Sequence, residues 1–240
     1  MKFPTICHKC LVEQGTASFI DLDFQDDGIY TSVCEKGHES LVCLQEELFQ
    51  ILFEHGAMAL LDGYQREAVS SFASSLERFY EFSIKVLLLH RGVPMEEIQN
   101  TWKLVAAQSE RQLGAFYFLF ASQFGFAPNP VAQQWVKFRN DVIHKGHIPS
   151  RDKVLGYAEH LYNYMVSLLK VLKEDFQESF LTAITHKQKN PQLIEAQKEG
   201  NITFVGLSPM LDMMSASFGT KTFGEALEAL RVNKDVLYPK

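Results

Sequence analysis

The chain has 240 residues, 46% hydrophobic and 12% aromatic, enough for one sizeable core and a small appendage, and its composition does not suggest disorder. Its 23 Lys+Arg against 29 Asp+Glu leave a net charge of −6, which argues against a protein that coats nucleic acid through its overall field; any such contact must be local. The opening MKFPTICHKC lacks an apolar leader, and the longest apolar run, LGAFYFLFA at 113–121, falls short of the roughly 18 residues needed to cross a bilayer. A cytoplasmic protein with no membrane partner is expected.

Residues 1–43 carry the first distinctive chemistry. Cys7 and Cys10 form a C-x2-C knuckle, and Cys34 and His38 form a C-x3-H knuckle with a turn-forming Gly37. Between them TASFIDLDF and GIYTSV read as two strands of a hairpin separated by the turn signal QDDG. Three thiolates and an imidazole suit a tetrahedral zinc ion, and four protein ligands with no open position predict a structural site. The competing reading is a set of buried or redox-active thiols. Cys43, in SLVCL, reads as a small core residue, with His8 and Cys43 as substitute ligands should His38 fail.

From residue 44 the periodicity becomes helical. Helices are predicted over 44–63 and 64–92, each closed by Gly, and in the second Val69, Phe72, Leu76, Phe79 or Tyr80, and Leu87 form a core stripe. A helix starting near Pro94 continues through 102–125, and FAPNP at 126–130 breaks the chain. VAQQWVKFRNDVIHKG follows, with Val131, Trp135, Phe138, Val142 and Ile143 inward. Ile148-Pro149-Ser150 then breaks the chain before a long closing helix, for which Ser150 is a candidate cap. Tyr157, Tyr162 and Tyr164 on that helix read as packing before they read as base-stacking groups. After Asn190-Pro191 the composition changes, so residues 191–240 read as an arm with a short helix at FGEALEALRV. The fold class is mainly α, with segments 1–43, 44–190 and 191–240.

The second chemical cluster lies at 137–151. On a helix the i,i+4 relation places Asn140 and His144 on one face, with Arg139 on the flank. Arg grips phosphate bidentately, His moves protons near neutral pH, and Asn orients either partner. Lys137, Lys145, His147 and Arg151 surround them as candidate RNA contacts. A bland reading also fits: cations near a helix end complement its dipole and cap free carbonyls.

The string RNDVIH, followed by Lys145 and Gly146, resembles the Arg-x4-6-His motif of the HEPN superfamily in its Arg-Asn form. REAVSSFASSLERFYEF likewise resembles an early HEPN helix whose acidic position, here Glu77, faces the motif. The resemblance covers roughly residues 44–185 and implies an up-and-down helical bundle and a homodimer whose two motifs form one composite site. It further implies a ribonuclease that needs no metal for the cut, of toxin-like or antiviral-defence type, with Arg139, Asn140, His144 and Glu77 as its catalytic group. The zinc ribbon would then be structural, with a regulatory protein as a possible partner. The alternative is a HEPN-like adaptor that binds a nucleotide or protein and cuts nothing.

Overall fold

The computed structural model describes residues 2–207 and 209–238. It is mainly helical with a small β portion, and it divides into two units. The first comprises Met1–Leu48, Ile184–Ser208 and Ala229–Lys240; the second comprises Phe49–Ala183 and Pro209–Glu228. Among the described residues no helix is long and apolar enough to cross a membrane.

In the first unit β1 (Lys2–Ile6) and β2 (Phe19–Asp23) pair antiparallel on either side of α1 (His8–Gln14), with Phe3 opposite Leu22. A second sheet has the order β3 (Ile29–Val33), β4 (Glu39–Leu44), β5 (Ile202–Val205). The predicted hairpin between residues 16–24 and 28–33 does not form. Each strand instead pairs across its neighbouring knuckle, β1 with β2 around Cys7 and Cys10, and β3 with β4 around Cys34 and His38. Asp27 accepts the Ile29 amide at 3.1 Å, an Asx turn that redirects the chain into β3.

Residues 191–240 do not stay together as an arm. Asn190 caps α9 (Pro191–Lys198) by accepting the Gln192 amide at 2.9 Å, with Pro191 at the first helical position. The run ITFV then adds β5 parallel to β4, with Val42 opposite Thr203. Its β-branched and aromatic composition suits a strand, and it satisfies an edge that β4 would otherwise leave open. The buried Glu46 carboxylate accepts the Leu207 amide at 2.6 Å, and Lys187 donates to the carbonyls of Leu44 and Glu46, holding the end of β4.

The second unit is built on α3 (Gln65–His90), against which α5 (Ser109–Phe124), α6 (Gln133–Lys145) and α7 (Arg151–Asp175) pack. α2 (Leu48–Leu61) approaches closely enough that a Cβ on Gly56 would lie 2.7 Å from the Phe72 ring. Phe49, Phe53, Phe72, Phe79, Phe82 and Phe116 fill the core. Two predicted helices are each broken once. The chain over 95–125 splits into α4 (Met95–Val105) and α5, because Gln108 is extended and the Gln112 side chain takes the Ala106 carbonyl at 2.8 Å. The closing helix stops at Phe176, whose ring packs edge-on against His90 and Phe124, and resumes as α8 (Gln177–Thr185).

Residues 209–228 belong to this unit through polar anchors. Gln50 donates to the Leu211 carbonyl at 2.8 Å, and the buried Glu54 accepts the Met210 amide at 3.0 Å. Thr222 and Glu225 form a reciprocal capping box that starts α10 (Phe223–Leu237).

Candidate functional site

The first candidate site lies in the first unit. Cys7 ends the link from β1, Cys10 sits on α1, and Cys34 and His38 flank the turn between β3 and β4. That turn is closed by the Gly37 amide on the Cys34 carbonyl and the Cys34 amide on the His38 carbonyl. The three sulfurs and one imidazole nitrogen all lie within 4.8 Å of one another, and the cysteines are buried, with Ile20 packed against them.

These residues form a group that can hold a metal ion. Thiolate and imidazole ligands at about 2.3 and 2.0 Å from a tetrahedral ion are separated by edges of about 3.8 Å between sulfurs and about 3.5 Å between sulfur and nitrogen. The observed separations are 3.8 Å for Cys10–Cys34, 3.6 Å for Cys7–His38 Nδ1 and 3.4 Å for Cys10–His38 Nδ1.

Electrostatics fit the same chemistry. Burial and hydrogen bonding with Cys7 and Cys34 push the Cys10 thiol up to about 11. For Cys34, burial acts in the same upward direction but is outweighed by amide hydrogen bonds from His38 and Lys36, and its thiol is lowered. Thiolates this close repel, and a central cation offsets the repulsion. His38 turns Nδ1 toward the sulfurs and Nε2 toward the Glu13 carboxylate, 3.6 Å away. Sequence spacing did not single out Glu13. His8 is exposed, while Cys43 is buried in β4; neither belongs to the group.

The second candidate site lies in the second unit, where α6 crosses α3. Arg139 is its hub. One terminal nitrogen donates to Glu77 of α3 at 2.8 Å; the other lies 3.0 Å from the Asn140 side-chain oxygen and 3.3 Å from His144 Nε2. A guanidinium only donates, so His144 accepts at Nε2 and carries its ring proton, when neutral, on Nδ1. The Arg139 and Glu77 side chains are 23% and 30% exposed, enough to meet a ligand while the pair is shielded from much of the solvent.

Beneath them Tyr157 of α7 is buried against Trp135 and Phe138. Burial pushes its phenol up, the charge of Arg139 opposes the shift, and that of Glu77 adds to it. Tyr157 is therefore the floor of the cluster, a role for which the sequence offered only its place in an aromatic series. Tyr162 is likewise buried in packing.

Among the basic candidates, Lys137 and Lys145 both turn to Asp141, each at 2.7 Å. Their i,i+4 spacing on either side of Asp141 is visible in the sequence. Those two hydrogen bonds hold the Asp141 carboxyl down to about 2. His147 and Arg151 are exposed and lie outside the Arg139 cluster. Gly146, in the left-handed conformation at φ 70, ends α6 and carries the chain away from it. Its amide and that of His147 both close on the Asp141 carbonyl.

Comparison of the chain with protein-family models, with curated proteins and with solved structures finds no match.

Proposed function

We propose that the second unit is a HEPN-type endoribonuclease that cuts RNA without a catalytic metal, in a site completed by a second copy of the chain. The observation that carries this reading is the convergence of Glu77, Asn140 and His144 on one partly exposed guanidinium. An incoming phosphate competes with Glu77 for Arg139. As the guanidinium turns to the phosphate, His144 Nε2 is released with its lone pair available.

His144 then takes the proton of the ribose 2′-hydroxyl as that oxygen attacks phosphorus. The bond from phosphorus to the 5′-oxygen breaks, and the leaving oxygen takes a proton from His144 of the second copy. Products end in a 2′,3′-cyclic phosphate and a 5′-hydroxyl. Arg139 offsets the charge that develops on the phosphorane, and Asn140 orients the guanidinium. Toxin-like or antiviral-defence activity under a regulatory protein is the setting that suits such a nuclease, with the cytoplasm as its place of action.

In the same reading Cys7, Cys10, Cys34 and His38 hold a structural zinc ion. The match of the three measured edges to tetrahedral thiolate and imidazole ligation supports it. The zinc supplies charge balance and cross-linking, and all four positions come from the protein.

The adaptor alternative draws on the same contacts. Glu77, Asn140 and His144 all belong to the same chain as Arg139, as expected of a brace between α3 and α6. The deciding experiment is RNA cleavage in excess chelator, with product ends identified, for wild type, Arg139→Ala and His144→Ala, each verified as a folded dimer. The nuclease reading expects cyclic-phosphate ends and a loss of about 10²-fold or more in both variants. Cleavage unaffected by either substitution overturns it, and a dimeric wild type that binds RNA without cutting favours the adaptor.

A further inference from the structure

α6 also borders a cavity of about 580 Å³, between it and the chain entering α7. Trp135 and Phe138 line it, both half-buried, with ring centroids 5.7 Å apart and planes near perpendicular. Lys137, His147 and Lys153 line its rim. Lys137 spends one of its three N–H donors on Asp141, whereas Lys153 has no ion-pair partner among the described residues.

Ser150 stands at the cavity wall in the N-cap position of α7, yet its side chain makes no capping bond, so the first-turn amides of a 25-residue helix are left for another acceptor. Asp152, the acid of that turn, does not line the cavity, whereas Asp141 does and is paired with Lys137 and Lys145. An apolar aromatic wall facing a cationic rim and free amides selects a ligand with a flat ring at one end and an anion at the other.

The geometry points to a nucleotide-binding subsite here, taking one non-scissile nucleotide of a bound RNA strand. Its base lies against Trp135 and Phe138, and its phosphate lies toward Lys153, His147 and the start of α7. This rests on the ribonuclease reading for the identity of the strand. The subsite adjoins the Arg139 cluster: Trp135 and Phe138 pack on Tyr157 beneath Arg139, and Lys137 and Asp141 each lie three residues from Asn140 or His144 on α6.

The test uses fluorescence rather than cleavage. In a Trp102→Phe background Trp135 is the sole tryptophan. The full-length protein is titrated with adenosine 5′-monophosphate and with a short single-stranded oligoribonucleotide. Saturable quenching by both is expected, with the oligonucleotide the tighter ligand. Lys153→Glu should weaken both about tenfold, the size of one charge-assisted hydrogen bond. No saturable quenching, or quenching that Lys153→Glu leaves unchanged, overturns the subsite. Quenching by the mononucleotide but not the oligonucleotide overturns its place on an RNA strand. A protein that fills this cavity with the oligonucleotide yet cuts nothing favours the adaptor over the nuclease reading and leaves the subsite standing.

Discussion

Arg139 is committed to three partners at once, and a guanidinium can do this only because its donors are fixed in a plane. Arg139→Lys keeps the charge but offers a point in place of a fork. On the nuclease reading it should lower RNA cleavage by about 10²-fold or more while shifting the unfolding midpoint little, since a partly exposed ion pair contributes only about 1 kcal/mol. Parallel cleavage assays and thermal melts check this. Glu77→Gln separates two roles of the carboxylate: weaker substrate competition for Arg139 lowers KM, whereas loss of Arg139 positioning lowers kcat.

Acid acts on two other residues of the second unit. Burial holds the His55 imidazole down to about 4 against an ordinary 6.5, so the unfolded chain takes that proton first. Stability should therefore be complete above pH 6.5 and fall toward pH 4, by up to about 1.4 kcal/mol per pH unit. Denaturant unfolding across that range checks it, and His55→Gln should flatten the slope. Asp141, held down by Lys137 and Lys145, acts at lower pH: its contribution is complete above about pH 4 and is lost as pH falls toward 2.

At the scale of elements, the two knuckles tie the β1–α1–β2 and β3–β4 hairpins through four side chains. If the group holds zinc as proposed, Cys10→Ser should lower the bound metal measured by elemental analysis and lower the thermal unfolding midpoint by several degrees. Chelation of the wild type should do the same. Gly56→Ala would force a methyl into the Phe72 ring and should destabilise the second unit by about 1–3 kcal/mol, read by denaturant unfolding.

These elements differ in how openly the sequence announces them. C-x2-C and C-x3-H are fixed by ligand chemistry, so the composition of the metal group is legible from residue spacing alone. Helices α2, α3, α6 and the start of α7 are legible from periodicity and from the punctuation at Gly63, Gly92, Gly146 and Ser150. Glu77 comes to attention through a resemblance, and it lies 2.8 Å from Arg139. Strand pairing is not legible. It depends on which hydrogen-bonding edges meet, and TASFIDLDF alternates equally well whichever neighbour it pairs with. The breaks at Gln108 and Phe176 are hidden because each is decided by a tertiary contact, the Gln112 side chain in one case and ring packing on His90 and Phe124 in the other.

For the molecule as a whole, the composite-site reading requires two copies. Light scattering should give twice the mass of the 27.4 kDa chain. Mixing Arg139→Ala with His144→Ala should restore little of the cleavage that each lacks, because a mixed dimer keeps one His144 where the acid and base roles call for two. A monomeric active protein would refute the composite arrangement while leaving the Arg139 cluster intact.

β5 brings residues 202–205 to β4, more than 150 positions earlier in the chain. During translation both cysteine knuckles leave the ribosome long before that strand is made, so metal capture can precede completion of the sheet. Until Ile202–Val205 emerge, the nascent chain carries all four candidate metal ligands beside an open pairing edge at Leu41–Leu44. A chain that ends before Ile202 therefore keeps the Cys7–Cys10–Cys34–His38 group yet offers that edge to other chains, a substrate for chaperones and proteases rather than a shortened working protein.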